Sequence, residues 1–256
     1  MPWNPELYNQ FKDIRYKPFY DLLGLLKEYD PKTIIDLGCG TGEQTAILTR
    51  HFKEANVLGI DSSATMLAQA RDYDLGRLTF RHIGIEEILA SGQQWDLVFS
   101  NAALQWVDGH EKLFKQLVSV VNPGGQLAVQ MPVQDENKLN QLLLQLVKEE
   151  PFSGYLQGFV RESPVLDLDA YAQLLFDEGL QDLDISMRVY PIIAEDPQEL
   201  VDFISGSAMI PYLERLKSNQ AAEFTEAFKQ RVAAAWPKFP AIYAFKRLLL
   251  VGTKRG

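Results

Sequence analysis

The chain has 256 residues, 46% of them hydrophobic, which is enough to bury one sizeable core. Its formal net charge of −9 argues against nucleic acid or an anionic membrane as a partner. Cys39 is the single cysteine, so no internal disulfide can form and a reducing compartment is favoured. The sequence has no apolar run of membrane-spanning length and no signal peptide at its start, and it therefore predicts a cytoplasmic protein.

The N-terminal stretch, residues 3–29, predicts an amphipathic helix that Pro18 interrupts. Its largely apolar face also carries the polar-tipped side chains of Tyr8, Arg15 and Tyr16. Such tips can reach a pocket, which would make this helix part of an active-site wall. The alternative is a helix that only covers the sheet.

A glycine-rich turn, Asp36 to Gly42, follows a short β-branched run that predicts a buried strand. Its alternate glycines, Gly38, Gly40 and Gly42, let the backbone turn sharply and approach a ligand closely. The helix that follows leaves N–H groups at its start that suit a carboxylate. The spacing differs from the Gly-x-Gly-x-x-Gly pattern of dinucleotide sites. A purely structural turn between strand and helix is the alternative.

The second predicted strand ends in Asp61, whose carboxylate can accept hydrogen bonds from both ribose hydroxyls of a nucleoside. Together with the glycine turn, this acidic residue resembles the S-adenosylmethionine site of Rossmann-like methyltransferases. Cys39 is expected to be a small buried spacer and not a nucleophile. The predicted cofactor-binding residues are Asp36, Gly38, Cys39, Gly40, Gly42, Asp61, Ser62, Met66, Ile85, Glu86 and Asn101.

The chain up to residue 132 alternates strand and helix, which predicts an α/β fold with a parallel sheet. Beyond residue 133 the alternation lapses, and amphipathic helices dominate. We predict a single domain with a core over about 30–132, 168–190 and 245–254, and a helical cap from 1–29, 133–165 and 191–240. The predicted strands are 33–37, 56–61, 78–82, 95–100, 126–131, 183–190 and 245–253, and the predicted helices are 43–52, 63–72, 85–90, 110–121, 142–147, 168–178, 197–209 and 218–236.

The loop after the fourth predicted strand lies where ligands bind in open α/β sheets, beyond the carboxyl ends of the strands. Asn101 and Gln105 in this loop suit a pocket, and Gln130 ends strand five on the same side. Trp106 has the alternative of an edge position in the core. His110 has the alternative of a helix N-terminal residue with no other role.

Several runs outside the glycine turn resemble the trans-aconitate 2-methyltransferase family, along almost the whole chain. These runs are Trp3 to Tyr8, Gly59 to Ser63, Asn101 to Trp106, Asn122 to Gly125 and Val129 to Pro132. The resemblance implies a Rossmann-like, doubly wound sheet of seven strands, mostly parallel with the last strand antiparallel. It also implies S-adenosylmethionine as the cofactor, S-adenosylhomocysteine as its product, and methyl transfer to a carboxylate oxygen of a small polycarboxylic acid.

Two departures from the family pattern bear on the site. The family usually has an acidic residue after strand three that can contact the adenine amino group, and Gly84 stands at that position here. Glu86 is the expected substitute. The family also shows an arginine in the helical cap where this chain has Ile210, which removes a candidate clamp for a carboxylate.

The expected chemistry is an in-line displacement at a sulfonium, which needs close approach and alignment. A carboxylate acceptor, with a pKa of about 4, is already ionised at neutral pH and requires no general base. Its other carboxylates would need cations, preferably bidentate arginines. The predicted catalytic residues are Tyr8, Arg15, Gln105 and Trp106, and Arg161 and Arg247 are further candidate clamps that have the alternative of surface or interhelical charges.

Three other functions stay open at this point. The acceptor can be a carrier-linked acid or another small metabolite. The protein can be a cofactor-binding regulator without turnover, or a nicotinamide-dependent dehydrogenase, although the glycine spacing argues against the last. We expect a small-molecule acid as the substrate, no metal, no nucleic acid or membrane partner, and a monomer or weak dimer.

Overall fold

The computed structural model describes residues 12–70, 73 and 76–256, and for residues 12–15 it describes the backbone alone. The chain forms two compact units. The first, here called the sheet unit, comprises residues 18–132, 164–188 and 247–256. The second, here called the helical unit, comprises in its described part residues 12–17, 133–163 and 189–246.

Seven strands form one sheet in the described part of the chain, in the order β3-β2-β1-β4-β5-β7-β6. β1 pairs in parallel with β2 and β4, whereas β7 pairs antiparallel with β5. This confirms the predicted Rossmann-like sheet. The strands are β1 (Thr33–Leu37), β2 (Asn56–Asp61), β3 (Leu78–His82), β4 (Trp95–Asn101), β5 (Val121–Pro132), β6 (Leu180–Ala194) and β7 (Ala241–Lys254).

Helices alternate with the first five strands and then dominate the later chain. Two 3₁₀ turns, Leu104–Trp106 and Gln134–Glu136, follow β4 and β5. In chain order the helices of the described residues are α1 (Lys12–Leu23), α2 (Glu43–His51), α3 (Ala64–Ala70), α4 (Ile85–Ala90), α5 (His110–Ser119), α6 (Lys138–Val147), α7 (Phe152–Tyr155), α8 (Leu168–Asp177), α9 (Pro197–Ser205), α10 (Ile210–Leu213) and α11 (Ser218–Ala235).

The central strands of the sheet unit are buried almost throughout, as their continuous apolar runs require. Ile34, Leu97 and Phe99 are fully buried in one core cluster of this unit. Each buried side chain of this size contributes ~1.5–3 kcal/mol relative to its exposed state. This packing fixes the carboxyl ends of β1, β2 and β4, from which the site loops leave.

The prediction that Pro18 interrupts the N-terminal helix was wrong, because α1 runs through Pro18 to Leu23. A proline removes one amide donor and can kink a helix. Burial of Phe19 and Leu22 offsets this loss, and the Phe19 ring packs edge-on against Phe99 at 5.7 Å. Because Phe19 and Leu22 pack into the core of the sheet unit, residues 18–29 belong to that unit, whereas the sequence assigned them to the cap.

The helical unit has its own hydrophobic core. Phe224, Phe228 and Tyr212 are buried at its centre, and Phe152 packs edge-on against Phe224 at 5.2 Å. The helix predicted over 197–209 ends earlier, at Ser205, and α10 begins only after that range, at Ile210. Within the described residues, none of the helices combines the length and the apolarity that crossing a membrane would require.

Candidate functional site

The glycine turn after β1 is held from behind by β2. The backbone N–H groups of Gly38 and Cys39 both donate to the carbonyl of Ile60, each at 2.8 Å. Gly38, Gly40 and Gly42 have φ values of +78°, +56° and +76°. L-residues with side chains rarely adopt these values, so the turn requires glycine on conformational grounds.

The three glycines differ in what surrounds them. A Cβ at Gly38 would lie 2.2 Å from the Cβ of Ala103, and one at Gly42 would lie 2.6 Å from the Phe80 ring. Both positions are therefore closed by the protein itself. A Cβ at Gly40 would meet no heavy atom within 4 Å. Gly40 is thus the glycine of this turn whose backbone faces open space.

Asp61 at the end of β2 is tied to two backbone amides. One carboxylate oxygen accepts the N–H of Gly40 at 2.9 Å, and the other accepts the N–H of Ser63 at 2.8 Å. These bonds hold the carboxylate beside Gly40. Each carboxylate oxygen has two lone pairs, so each can also accept a hydroxyl hydrogen.

The start of α3 lies directly after Asp61. The Ser63 hydroxyl accepts the N–H of Met66 at 3.3 Å, which caps the helix as predicted. The His82 ring contacts the carbonyl of Ser62 at 2.9 Å. Ser63 thus bonds to both the Asp61 carboxylate and the Met66 amide, which places the start of α3 beside Asp61.

Asp36 and Cys39 are buried members of the turn. The Asp36 carboxylate is 3% exposed and accepts the Thr45 hydroxyl at 2.6 Å. Burial, with a smaller contribution from the charge of Asp61, raises the pKa of Asp36 to about 7. Burial also raises the pKa of the Cys39 thiol, which suits a packing residue and not a nucleophile.

We expect Asp36→Asn to remove a pH dependence of stability. A carboxyl whose folded pKa is raised from about 4 to about 7 costs nothing below the lower value. The cost grows as the pH rises from the lower value to the upper one, because the folded carboxyl stays protonated where the unfolded one has already ionised, and it levels off above the upper value. Between pH 5 and pH 8, the free energy of unfolding of the wild type should fall by about 2–3 kcal/mol relative to Asp36→Asn. Urea unfolding of both proteins measures this, and a difference that does not change with pH would contradict it.

The end of β4 and the loop that follows it carry three of the predicted site residues. The Asn101 amide donates to Oε1 of Gln44 in α2 at 2.9 Å. Gln105 is 5% exposed and donates to the carbonyl of Ala102 at 2.7 Å, so it stabilises its own loop. Trp106 is 42% exposed, which excludes the alternative of a core position.

His110 is a structural residue that the sequence could not assign. It is 2% exposed, and its Nε2 donates to the carbonyl of Leu104 at 3.0 Å. Its Nδ1 therefore accepts a hydrogen bond from the hydroxyl of Tyr171, which in turn accepts the N–H of Leu166 at 3.2 Å. Burial raises the pKa of Tyr171, so the hydroxyl keeps the proton it donates. The imidazole thus anchors the turn that carries Gln105 and Trp106.

The amide of Gln130 joins this loop to β7. In the orientation that satisfies its neighbours, Oε1 accepts from Nε of Arg247 and from the N–H of Met131, the latter at 3.0 Å. Nε2 then donates to Oδ1 of Asn101 at 2.6 Å. The Gln130 carbonyl also accepts the N–H of Ala102 at 2.8 Å. Gln130 was predicted as a pocket residue, and these bonds direct its amide into the protein.

The loop after β3 leads into α4, where Ile85 and Glu86 form the first turn. Glu86 is exposed and Ile85 is half-buried. Gly84 precedes the helix with φ −76°, which any residue can adopt, and no side chain caps the helix there. A Cβ at Gly84 would meet nothing within 4 Å. The structure therefore has room for the acidic residue that the sequence lacks.

We expect Gly84→Asp to strengthen binding of S-adenosylhomocysteine several-fold, because the new carboxylate can accept the adenine amino group. The same side chain can cap α4, which adds roughly a few tenths of a kcal/mol of stability relative to glycine. Calorimetric titration measures the first effect and thermal unfolding the second. Gly84→Asn is the uncharged control and should share the cap. If Gly84→Asp raises the melting temperature but leaves the affinity unchanged, this loop does not face the adenine.

Several predicted residues belong to the helical unit or lie outside the described part. Tyr8 and the side chain of Arg15 lie outside the described residues. The backbone N–H of Arg161 donates to the Tyr212 hydroxyl at 3.0 Å. The sequence reasoning missed Arg215, whose guanidinium lies 3.7 Å from the centre of the Phe159 ring.

The sheet-unit residues fit S-adenosylmethionine. Gly40 offers the open space into which a ligand can approach the backbone, and the Asp61 carboxylate beside it suits a ribose. The N–H groups at the start of α2 suit the cofactor's own carboxylate. The geometry thus brings together Gly40, Asp61, Ser62 and Met66, with Asn101 bonded to α2.

Comparisons with known proteins agree with this geometry. Residues 34–125 match the family model of a methyltransferase domain. The chain is 42% identical to a trans-aconitate 2-methyltransferase of Deinococcus radiodurans, over 99% of each chain. It is 32% identical to a trans-aconitate 2-methyltransferase of Variovorax paradoxus, over 100% of this chain and 99% of the other.

A solved structure shows the same fold at lower similarity. Phosphoethanolamine N-methyltransferase 2 of Haemonchus contortus, in complex with S-adenosyl-L-methionine, has a TM-score of 0.58 and 17% identity to this chain. The match covers 94% of this chain and 52% of the other, so the chain spans about half the length of that protein. From the identity along its whole length, the chain belongs to the trans-aconitate 2-methyltransferase family and is an S-adenosylmethionine-dependent methyltransferase.

Proposed function

We propose that the protein transfers a methyl group to a carboxylate oxygen of a small, trans-aconitate-like organic acid. The observation that carries this proposal is the 42% identity, over 99% of both chains, to a relative that bears the name of a trans-aconitate methyltransferase. S-adenosylmethionine supplies the methyl group on a positively charged sulfur. The chain's own residues have to bind the two reactants, align them and exclude water.

The state of His110 supports an acceptor that needs no base. Both ring nitrogens are engaged, one with Leu104 and one with Tyr171, and the ring is 2% exposed. An imidazole held in this way cannot take a proton from a substrate. A carboxylate acceptor is ionised at neutral pH and has no proton to lose, so its oxygen can attack directly.

We propose a role for each residue of the site. Asp61 accepts the ribose hydroxyls, Gly40 gives the close backbone approach, and Asn101 contacts the cofactor from the end of β4. Trp106 offers a half-exposed indole to the acceptor, and Gln105 fixes the turn that carries it. Further proposed cofactor contacts are Ser62, Met66, Ile85 and Glu86, whereas Asp36, Gly38, Cys39 and Gly42 are proposed to shape the turn that holds the cofactor. Further proposed acceptor contacts are Tyr8 and Arg15.

The helical unit contains two arginines that are candidates to bind a second carboxylate of the acceptor. Ile210 begins α10, and two arginines lie close to the Tyr212 hydroxyl within the same unit. Burial raises the pKa of Tyr212, and the charges of Arg161 and Arg215 oppose this rise. These arginines can take part of the role that an arginine at position 210 would have.

We expect a preference for dicarboxylates over trans-aconitate, because a carboxylate buried without a partner is costly. The measurement is kcat/KM for trans-aconitate, for a set of dicarboxylates and for one carrier-bound acid. Ile210→Arg should raise the value for trans-aconitate about tenfold, equivalent to one charge-assisted hydrogen bond. Ile210→Met is the uncharged control and should not. If the wild type turns over trans-aconitate efficiently and Ile210→Arg brings no gain, residue 210 does not set the specificity.

The remaining proposals concern location and assembly. A cytoplasmic location is supported by the single cysteine, because oxidising compartments favour paired cysteines. The net charge of −9 argues against nucleic acid or an anionic membrane surface as a partner. We also propose a monomer or weak dimer, which light scattering over a range of concentrations would test.

A further inference from the structure

Gln130 and Arg247 form a buried polar pair inside the sheet unit. Gln130 is 0% exposed and Arg247 is 6% exposed. They lie on neighbouring strands, where Pro132 pairs with Arg247 and Gln130 pairs with Leu249. Arginine is rarely buried to this degree. A buried polar network whose hydrogen bonds are all satisfied makes the structure around it rigid.

The Arg247 guanidinium fixes the orientation of a series of hydrogen-bonded side-chain amides. It can donate but not accept, so the Gln130 oxygen must face it. The Gln130 nitrogen is then left to donate to Oδ1 of Asn101. The Asn101 nitrogen in turn donates to Oε1 of Gln44, at 2.9 Å. Arg247, which can only donate, thereby fixes the orientation of all three side-chain amides in this series.

Gln130 also holds a strained piece of backbone. Ala102 has φ +59°, a left-handed conformation that residues with a Cβ seldom adopt. Its N–H donates to the carbonyl of Gln130 at 2.8 Å. The next residue, Ala103, packs so closely against Gly38 that a Cβ there would lie 2.2 Å away. Gln130 thus holds Asn101 by its side chain and Ala102 by its backbone.

We propose that Gln130 and Arg247 are positioning residues for cofactor binding, which act through Asn101 without touching the cofactor. This rests on the proposed role of Asn101 in the site. The pair keeps the Asn101 amide in one orientation, and the backbone carbonyl of Gln130 keeps the loop after β4 in its left-handed turn. Both effects present Asn101 to the cofactor at a fixed angle, so that binding does not have to order it.

The test uses Gln130→Glu, because the carboxylate still accepts from Arg247 and from the Met131 amide but cannot donate to Asn101. We expect the dissociation constant of S-adenosylhomocysteine, measured by calorimetry, to rise about tenfold, as for one lost hydrogen bond. In the Asn101→Ala background the same change should alter the affinity by less than about twofold, since the bond it removes is already absent. Arg247→Met is a second variant that releases the Gln130 amide, and it should show the same dependence on Asn101.

Gln126→Glu is the matched control. Gln126 is also a buried amide on β5, 2% exposed, and it bonds to the backbone of Lys27 and not to the site loop. Its replacement should lower thermal stability without changing the affinity. A wild type that fails to bind S-adenosylhomocysteine would refute the cofactor site itself. Normal wild-type binding combined with an unchanged affinity in Gln130→Glu, or with additive effects of Gln130→Glu and Asn101→Ala, would overturn the positioning role alone.

Discussion

Gly40→Ala is expected to abolish measurable binding of S-adenosylhomocysteine while the ligand-free protein stays folded. The added methyl group would meet no protein atom within 4 Å, so it occupies the space that the cofactor needs. The φ of +56° at this position adds a backbone cost of about 1–2 kcal/mol. Calorimetric titration and thermal unfolding together separate the two effects.

Gly92→Ala is the matched control for this substitution. Gly92 has φ +68° and equally open surroundings, but it follows α4 and lies outside the glycine turn. It should lose similar stability and keep its affinity. Gly38→Ala should behave in the opposite way to Gly40→Ala and damage the fold, because its Cβ would collide with Ala103. Retained binding in Gly40→Ala would mean that the cofactor does not approach this glycine.

Asp61→Ala is expected to weaken the affinity for S-adenosylhomocysteine by roughly 5- to 150-fold, equivalent to about 1–3 kcal/mol for buried donors left without an acceptor. The ribose hydroxyls lose their acceptor, and so do the N–H groups of Gly40 and Ser63. Asp61→Asn keeps one carbonyl oxygen and should lie between the wild type and Asp61→Ala. An affinity in Asp61→Ala equal to that of the wild type would show that this carboxylate does not hold the ribose.

The local features of the site could be predicted because each depends on a few neighbouring residues. The apolar run before Asp36 predicted β1, and the alternate glycines predicted the sharp turn. Asp61 was found because a strand end and an acidic residue are visible together in the sequence. The predicted bounds of β1, β2 and β3 agree with the structure.

The partners of the buried polar residues could not be predicted, since they come from distant parts of the chain. His110 meets Tyr171, 61 residues later, and neither side chain marks the other in the sequence. The packing that requires glycine at position 38 likewise depends on Ala103. An arginine within a predicted strand, such as Arg247, indicates that a polar network exists there, but it does not identify the other residues of that network.

The central claim is that the methyl group goes to a carboxylate oxygen. The most direct measurement is to incubate the enzyme with methyl-labelled S-adenosylmethionine and a panel of di- and tricarboxylic acids, and then to treat the products with mild alkali. A methyl ester releases its label as methanol, whereas a methyl group on nitrogen or carbon stays attached. We predict turnover with at least one acid of the panel and complete release of the label as methanol. Labelled product that resists alkali, or binding of the cofactor without turnover of any acid, would contradict the account.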